Sequence, residues 1–259
     1  MPCLENDMNK TLTGKEIRER KHFDLYANKY DQNYDYSSLF TKYKINKKVD
    51  DFIEIITRLH SNKDIKILEL GCGTGEYTRL VAKRFPNLKI IGIDISSKIL
   101  QVARQKCKGL KNVDFETTSA YDTKFRKGQF DVIFGYYILH HLEYKKLIPE
   151  LNRILKKNGY LYFYEPNIIN PAVYMIKSSK TIKKFVGDSE DEWAINPLTV
   201  EKNFRGFQVI DIKISEYITP LKMLPFNLLK KLDKVSSYLS YVPMVRYLGG
   251  SVRILLRKK

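Results

Sequence analysis

Three glycines at alternate positions follow a short apolar segment in the first third of the chain. Residues 65–70 have the composition of a buried β-strand, and Gly71, Gly73 and Gly75 separate it from a helix expected over residues 76–85. Open α/β sheets bind ligands at the carboxyl ends of their strands, where glycines let a ligand lie against the backbone. The pattern therefore predicts an α/β domain with a binding loop after its first strand.

The alternation of strand and helix continues along the chain. Further strands are expected over residues 88–94, 113–117, 130–135 and 160–164, and then over residues 207–217 and 251–256. Strands that alternate with helices at this spacing form a parallel sheet with right-handed crossovers. Because a hairpin-type connection joins the last two strands, we expect the final strand to be antiparallel and to lie between the fifth and sixth of seven.

Composition excludes several classes of protein. The three cysteines are odd in number and form no CxxC pair, so a disulfide framework and a cysteine zinc site are not expected, and the cytoplasm is the simplest location. No apolar run is long enough to cross a membrane, and the first 20 residues lack the apolar segment of a secretory signal. The net charge of +17 favours anionic partners, although a general lysine bias explains it equally well.

We divide the chain into a flexible tail over residues 1–20 and a single domain over residues 21–259. Within the domain, residues 21–62 are expected to form a helical cap. Residues 166–196 and 219–249 are read as inserts, because they mix apolar and basic residues between expected strands.

The loop and the second strand together favour a nucleoside cofactor. Asp94 ends the second strand, where a carboxylate can accept hydrogen bonds from both ribose hydroxyls. A dinucleotide site would need a small residue where Glu76 stands, and the charge of Glu76 would repel a pyrophosphate at the helix start. A cofactor without phosphates therefore suits the site better.

Four segments in order resemble the landmarks of class I S-adenosylmethionine-dependent methyltransferases. Residues 67–75 resemble motif I, Asp94 matches the ribose-binding acid, residues 130–135 resemble motif IV, and residues 151–161 resemble the next landmark. The likeness covers about residues 23–165 and extends to the small-molecule methyltransferases of ubiquinone and menaquinone biosynthesis. It implies a Rossmann-like α/β fold with a seven-stranded methyltransferase sheet, helical inserts and S-adenosyl-L-methionine as cofactor.

The resemblance also implies a set of cofactor-binding positions. They are Tyr30, Glu69, Gly71, Cys72, Gly73, Gly75, Asp94, Ile95, Ser119, Ala120 and Tyr136. This sequence departs from the family at Ser119, where the family usually has an acid that holds the adenine amino group. We expect either the Ser119 hydroxyl or Asp122 to take that role.

Two adjacent histidines, His140 and His141, follow the fourth strand, where an acceptor would approach the cofactor. Either one is predicted to be the general base, because the pKa of imidazole lies near working pH. The alternative is that they cap the next helix or pair within the core. No metal site is expected, since no carboxylate stands at helical spacing before them.

The acceptor is predicted to be a small molecule, a lipid-linked compound or a glycan, methylated on oxygen or carbon. An RNA methyltransferase is one alternative, but the basic residues are scattered and nucleic acid is the less favoured partner. A cofactor-binding partner subunit without activity is another. The apolar, lysine-flanked residues 219–247 suggest peripheral membrane contact, and the oligomeric state is not predicted.

Overall fold

A seven-stranded sheet runs through the computed structural model, which describes residues 12–59, 65–189, 191–218 and 224–259. Its strands are β1 (Lys66–Leu70), β2 (Lys89–Asp94), β3 (Val113–Thr117), β4 (Phe130–Tyr136), β5 (Leu155–Pro166), β6 (Phe207–Ser215) and β7 (Ser251–Lys258). Their order is β3-β2-β1-β4-β5-β7-β6, and β7 pairs antiparallel with both of its neighbours. The predicted fold class and the position of the last strand are confirmed.

Helices surround the sheet. The described helices are α1 (Gly14–Tyr26), α2 (Tyr30–Asn33), α3 (Leu39–Leu59), α4 (Glu76–Arg84), α5 (Ser97–Lys106), α6 (Tyr144–Ile154), α7 (Pro171–Ser178), α8 (Lys180–Val186), α9 (Val200–Asn203) and α10 (Phe226–Ser236). One apolar cluster packs α6 against β4 and β5, and a second packs α3 and α4 against the other face. The central strands β1 and β4 are buried at nearly every position, as parallel strands covered on both faces usually are.

The chain forms a capped helix where a tail was expected. Thr13 accepts a hydrogen bond from the Glu16 backbone, and Glu16 Oε2 accepts one from Thr13 N at 2.8 Å, which is a capping box. The prediction of a flexible tail over residues 1–20 is therefore wrong for residues 13–20. Residues 1–11 lie outside the described part of the chain.

A second difference concerns the start of β5. A strand is expected over residues 160–164, and an Asn-Gly pair such as Asn158-Gly159 is typical of a helix end, but α6 ends at Ile154 and β5 already begins at Leu155. Asn158 has a φ of 63° within an irregularity of the β4–β5 pairing. A left-handed residue is as compatible with a bulge as with a helix end, and here the strand continues.

No described helix combines the length and the apolarity that a membrane crossing requires. The carboxyl ends of β1, β2, β3, β4 and β5 meet along one edge of the sheet. The loops that follow them carry the predicted site residues.

Candidate active site

A cavity of about 470 Å³ opens at the carboxyl ends of the strands, beneath α1, α2 and α3. Several predicted residues line it, namely Tyr30, Gly71, Gly73, Asp94, Ile95, Ala120, Tyr136, His140 and His141. Glu69 and Cys72 line a smaller adjoining cavity of about 30 Å³. Gly75 and Ser119 lie behind these surfaces and line neither cavity.

The glycine loop leaves its backbone open toward the cavity. Gly71 has a φ of 59°, and a Cβ there would lie 2.3 Å from Ile138 Cδ1, so packing as well as conformation requires glycine. Among the described residues, the atom nearest to a Cβ on Gly73 would be Tyr30 Oη, at 3.9 Å. The space above Gly73 is therefore free for a ligand that touches the main chain.

Asp94 is a half-buried carboxylate whose oxygens can accept further hydrogen bonds. Its Oδ2 accepts a hydrogen bond from Gly73 N at 3.1 Å, and its Oδ1 accepts one from Ser96 N at 2.9 Å. Burial raises its pKa to about 6. Since a carboxylate offers about four acceptor positions, two vicinal hydroxyls can still bind.

The Glu69 carboxyl can bind a positively charged group of a ligand. Thr78 Oγ1 donates to Glu69 Oε2 at 2.5 Å, and burial raises the pKa of the Glu69 carboxyl to about 8. The adjoining cavity has room for a water molecule. An ammonium group nearby would favour the charged form, either directly or through that water.

Carboxylates of α1 and α2 contact the loops that follow the strands. The contacts are Glu16 to Ser119 after β3, Glu19 to His141 after β4, Asp24 to Ser96 after β2, and Asp31 to Thr74 after β1. Lys106 also donates to Asp31, at 2.6 Å. The first described helices are thereby held across the cofactor side of the sheet.

In the loop after β3, the two side chains predicted to bind adenine, Ser119 and Asp122, both have partners within the protein. Ser119 donates its hydroxyl to Glu16 and accepts a hydrogen bond from Tyr121 N at 3.0 Å. Asp122 pairs with Lys124, and its side chain is 53% exposed. Asp122 does not line the cavity, so the expectation that it reaches back is wrong.

His140 is fixed between two carboxylates. Its Nδ1 lies 2.6 Å from Glu165 Oε2, and its Nε2 lies 3.1 Å from Glu192 Oε1. Burial lowers the pKa of His140, but the hydrogen bonds and charges of Glu165 and Glu192 raise it to about 9. At neutral pH His140 is therefore an imidazolium with both ring nitrogens donating.

Glu165 ties β5 to the turn after β4. Its Oε1 accepts hydrogen bonds from the backbone N–H groups of Ile138 and Leu139, at 2.9 and 2.8 Å. The same side chain receives His140 on its other oxygen. Glu165 thus sets the path of the turn Leu139–His141.

One hydrogen bond from the described part of the chain orients the His141 ring. Its Nδ1 lies 3.0 Å from Glu19 Oε2, while its Nε2 is 4.0 Å from Glu192 Oε2, beyond hydrogen-bond distance. Burial raises the pKa of Glu19, but its hydrogen bonds with His141 and Ser189 lower it below the usual value. A charged Glu19 favours the tautomer with hydrogen on Nδ1, which leaves a lone pair on Nε2.

Among the described residues, His140, His141 and Glu192 place potential metal-ligand atoms within 4.8 Å of one another. Lys177 already donates to Glu192 Oε1, as does the protonated His140. Burial raises the pKa of Glu192, but the histidines and Lys177 lower it far below the usual value. A dication would have to displace both an ammonium and a proton, so the cluster is better described as an ion-pair network.

A second part of the cavity lies toward α3 and β7. It is lined by Phe40, Lys44, Lys48, Tyr137, Glu216, Ile218 and Ser251. Glu216 Oε1 accepts from Lys48 Nζ at 2.8 Å and lies 3.5 Å from Lys44 Nζ. This part of the cavity combines apolar walls with a fixed pair of ammonium groups.

Sequence reasoning missed Glu16, Glu19, Glu192 and Glu216. The first two lie in the predicted tail, although the Thr13-to-Glu16 spacing of a capping box was a signal for a helix there. Glu192 lies in the first predicted insert, and Glu216 follows β6. No local pattern marks the last two, because they reach the site through tertiary contacts.

Residues 67–159 match a family model described as a methyltransferase domain. The chain is 32% identical over 155 residues to the demethylmenaquinone methyltransferase of Thermotoga maritima, a match that covers 57% of this chain and 63% of that protein. It is 28% identical over 180 residues to the ubiquinone biosynthesis O-methyltransferase of Pelagibacter ubique, covering 68% and 71%. The chain spans less than two thirds of the Thermotoga protein.

The fold is also that of a solved methyltransferase complex. The plantazolicin methyltransferase BpumL, determined with a substrate analogue and S-adenosylhomocysteine, has a TM-score of 0.61 to this chain. The match covers 95% of this chain and 97% of that one, at 18% identity. At that identity, the likeness shows a shared fold.

Proposed function

We propose that the protein, whose residues 67–159 match a methyltransferase domain, is an S-adenosylmethionine-dependent enzyme that methylates a hydroxyl or carbon of a small, partly apolar molecule. One observation carries the proposal: the open glycine loop, the Asp94 carboxylate and the free Nε2 of His141 meet in one cavity. Relatives named as quinone-biosynthesis methyltransferases favour an acceptor of the quinone-precursor class.

The residues present fit S-adenosylmethionine, which when bound supplies an electrophilic methyl group on a sulfonium. Asp94 would accept the ribose hydroxyls, and the backbone at Gly71 and Gly73 would lie against the sugar and the methionine part. Glu69 would face the ammonium, and Ile95 and Ala120 would line the purine. Tyr30 Oη lies close above Gly73 and would cover the bound molecule.

Geometry favours His141 over His140 as the base. His140 has both ring nitrogens in hydrogen bonds with carboxylates, so it has no lone pair to offer. His141 keeps Nε2 free, and Glu19 holds its ring in place. Nε2 of His141 would accept the proton of an acceptor hydroxyl that lies beside it.

Aromatic side chains of the cap would keep water from the reacting groups. Phe23 packs edge-on against His141 with ring centroids 5.5 Å apart, and Tyr30 packs against Phe23 and Tyr34. These rings form an apolar wall over the turn that carries the histidines. The acceptor would lie between this wall and the lysine-lined part of the cavity, which suits an apolar ring with polar substituents.

The surface formed by α10 and the following residues 237–248 favours peripheral membrane contact. Apolar side chains are exposed at helical spacing, with Val235 65% exposed, and Lys230, Lys231 and Lys234 are exposed beside them. Apolar residues flanked by lysines match the chemistry of an anionic lipid surface. Of the predicted contact segment 219–247, residues 219–223 lie outside the described residues.

Binding to vesicles tests this surface. Replacing Leu232 and Val235 by serine should weaken sedimentation with phosphatidylglycerol-containing vesicles about tenfold or more, because apolar area on the contact face is lost. Leu25→Ser is the matched control, since Leu25 is 81% exposed on α1 and should leave binding unchanged. Equal vesicle binding by all three proteins would contradict the contact.

Transfer of a labelled methyl group tests the proposed function. Incubated with methyl-labelled S-adenosylmethionine and lipid, glycan or RNA fractions, the protein should place label in an organic-soluble small molecule. Asp94→Ala should weaken S-adenosylhomocysteine binding by roughly 10- to 100-fold, since hydrogen bonds to a charged group are lost. Label in RNA, or cofactor binding without transfer to any fraction, would contradict the proposal.

A further inference from the structure

We propose that Glu16 of α1 provides the carboxylate that binds the 6-amino group of the cofactor's adenine, in place of the acid that the loop after β3 lacks. The inference rests on the proposed use of S-adenosylmethionine. It adds a residue from outside the matched domain to the cofactor site.

Sheet order places the purine beside this loop. β3 is the neighbour of β2, and adjacent strands lie about 4.8 Å apart. A ribose held by Asp94 at the end of β2 therefore directs its base toward the end of β3. Thr118 and Ala120 line the cavity at that point, and Ile95 and Ile99 add apolar surface.

An amino group at this position needs an acceptor. Asp122, the nearby acid of the loop, is exposed and paired with Lys124. Glu16 is buried, lines the cavity, and reaches the same loop by accepting the Ser119 hydroxyl on Oε1. A carboxylate thus stands at the loop after β3, although it comes from a different segment.

Glu16 also has capacity left for a ligand. Its described partners are two neutral donors, the Ser119 hydroxyl on Oε1 and the Thr13 backbone N–H on Oε2 at 2.8 Å. Each carboxylate oxygen has two lone pairs, so further hydrogen bonds can form. The amino group of an adenine would add a third donor to this buried carboxylate, whose two described donors carry no charge.

A cycle that combines a protein change with a ligand change tests the proposal. Calorimetry would compare S-adenosylhomocysteine with its 6-deamino analogue, in which hydrogen replaces the amino group. Wild-type protein should bind the analogue about tenfold or more weakly, since a hydrogen bond to a charged acceptor is missing. In Glu16→Ala the two ligands should bind about equally.

Two further variants distinguish the effect of the Glu16 carboxylate on ligand preference from the effect of a changed helix start. Thr13→Ala removes one side of the capping box but keeps Glu16, so it should retain the wild-type preference. Glu16→Gln keeps both a capping side chain and a neutral acceptor, so its preference should be intermediate. A wild-type preference in Glu16→Ala, or its loss in Thr13→Ala, would overturn the assignment. Failure of wild-type protein to bind S-adenosylhomocysteine would instead reject the proposed function.

Discussion

Replacing His141 by alanine is expected to lower kcat by about 10²- to 10⁴-fold, the usual contribution of a positioned general base. The affinity for S-adenosylhomocysteine should stay within about twofold, because Asp94 and the glycine loop remain intact. Glu19→Gln should lower kcat by a smaller factor, since His141 remains as the base but loses the negative charge that orients its ring. Methyl-transfer kinetics and calorimetry on the same preparations measure both quantities.

The matched control is His22→Ala, which removes a histidine that packs edge-on against Phe23 and at a tilt against Tyr26 of α1 and has no described contact with the carboxylates around His140 and His141. It should turn over at nearly the wild-type rate. If His141→Ala also retained full turnover on the true acceptor, proximity alone would carry the reaction, and the assignment of His141 would be wrong.

Replacing Glu165 by glutamine is expected to destabilise the protein by up to about 3 kcal/mol at pH 6, since Glu192 keeps part of the raised pKa of His140, and by far less at pH 10. The pKa of His140 is raised from 6.5 to about 9 in the folded state, and each pKa unit corresponds to about 1.4 kcal/mol. Stabilisation from a raised pKa is fully present below the unfolded value and disappears as pH rises through the folded value. The difference in unfolding free energy between wild type and variant should therefore fall between pH 6.5 and 9.

Urea unfolding at several pH values measures that difference, and Glu150→Gln provides the control. Glu150 is also a buried carboxylate, but it pairs with Arg153 and Thr123, whose charge states do not change in this pH range. The decrease in unfolding free energy caused by Glu150→Gln should be nearly constant from pH 6 to 10. A constant cost for Glu165→Gln as well would show that His140 is neutral in the folded protein.

The sheet and its binding loop were predictable because their signals are local. Apolar runs mark the strands, glycines mark the loop, and parallel strands bring their carboxyl ends to one edge. These rules placed Asp94 and both histidines at the same cavity. The hairpin-type connection expected between the last two strands also sufficed to place the final strand.

The partners of those residues were not predictable in the same way. Glu19 lies 122 positions from His141, and Glu192 lies 52 positions from His140. No periodicity encodes such a pair, since a carboxylate in a polar helix looks the same whether it faces solvent or a histidine. The choice between His140 and His141 depended on these contacts and therefore needed the structure.

The cavity is lined by residues from inside the matched methyltransferase domain, residues 67–159, and by residues from the segments that flank it. Residues 67–159 contribute the glycine loop, Asp94 and both histidines, whereas the carboxylates that face the histidines come from outside that range. A chimera that received residues 67–159 from a relative would gain a complete loop for the cofactor but mismatched partners for its base. Under the proposed function, the carboxylates that orient the base would thus be inherited with the flanking segments, separately from the residues that hold the cofactor.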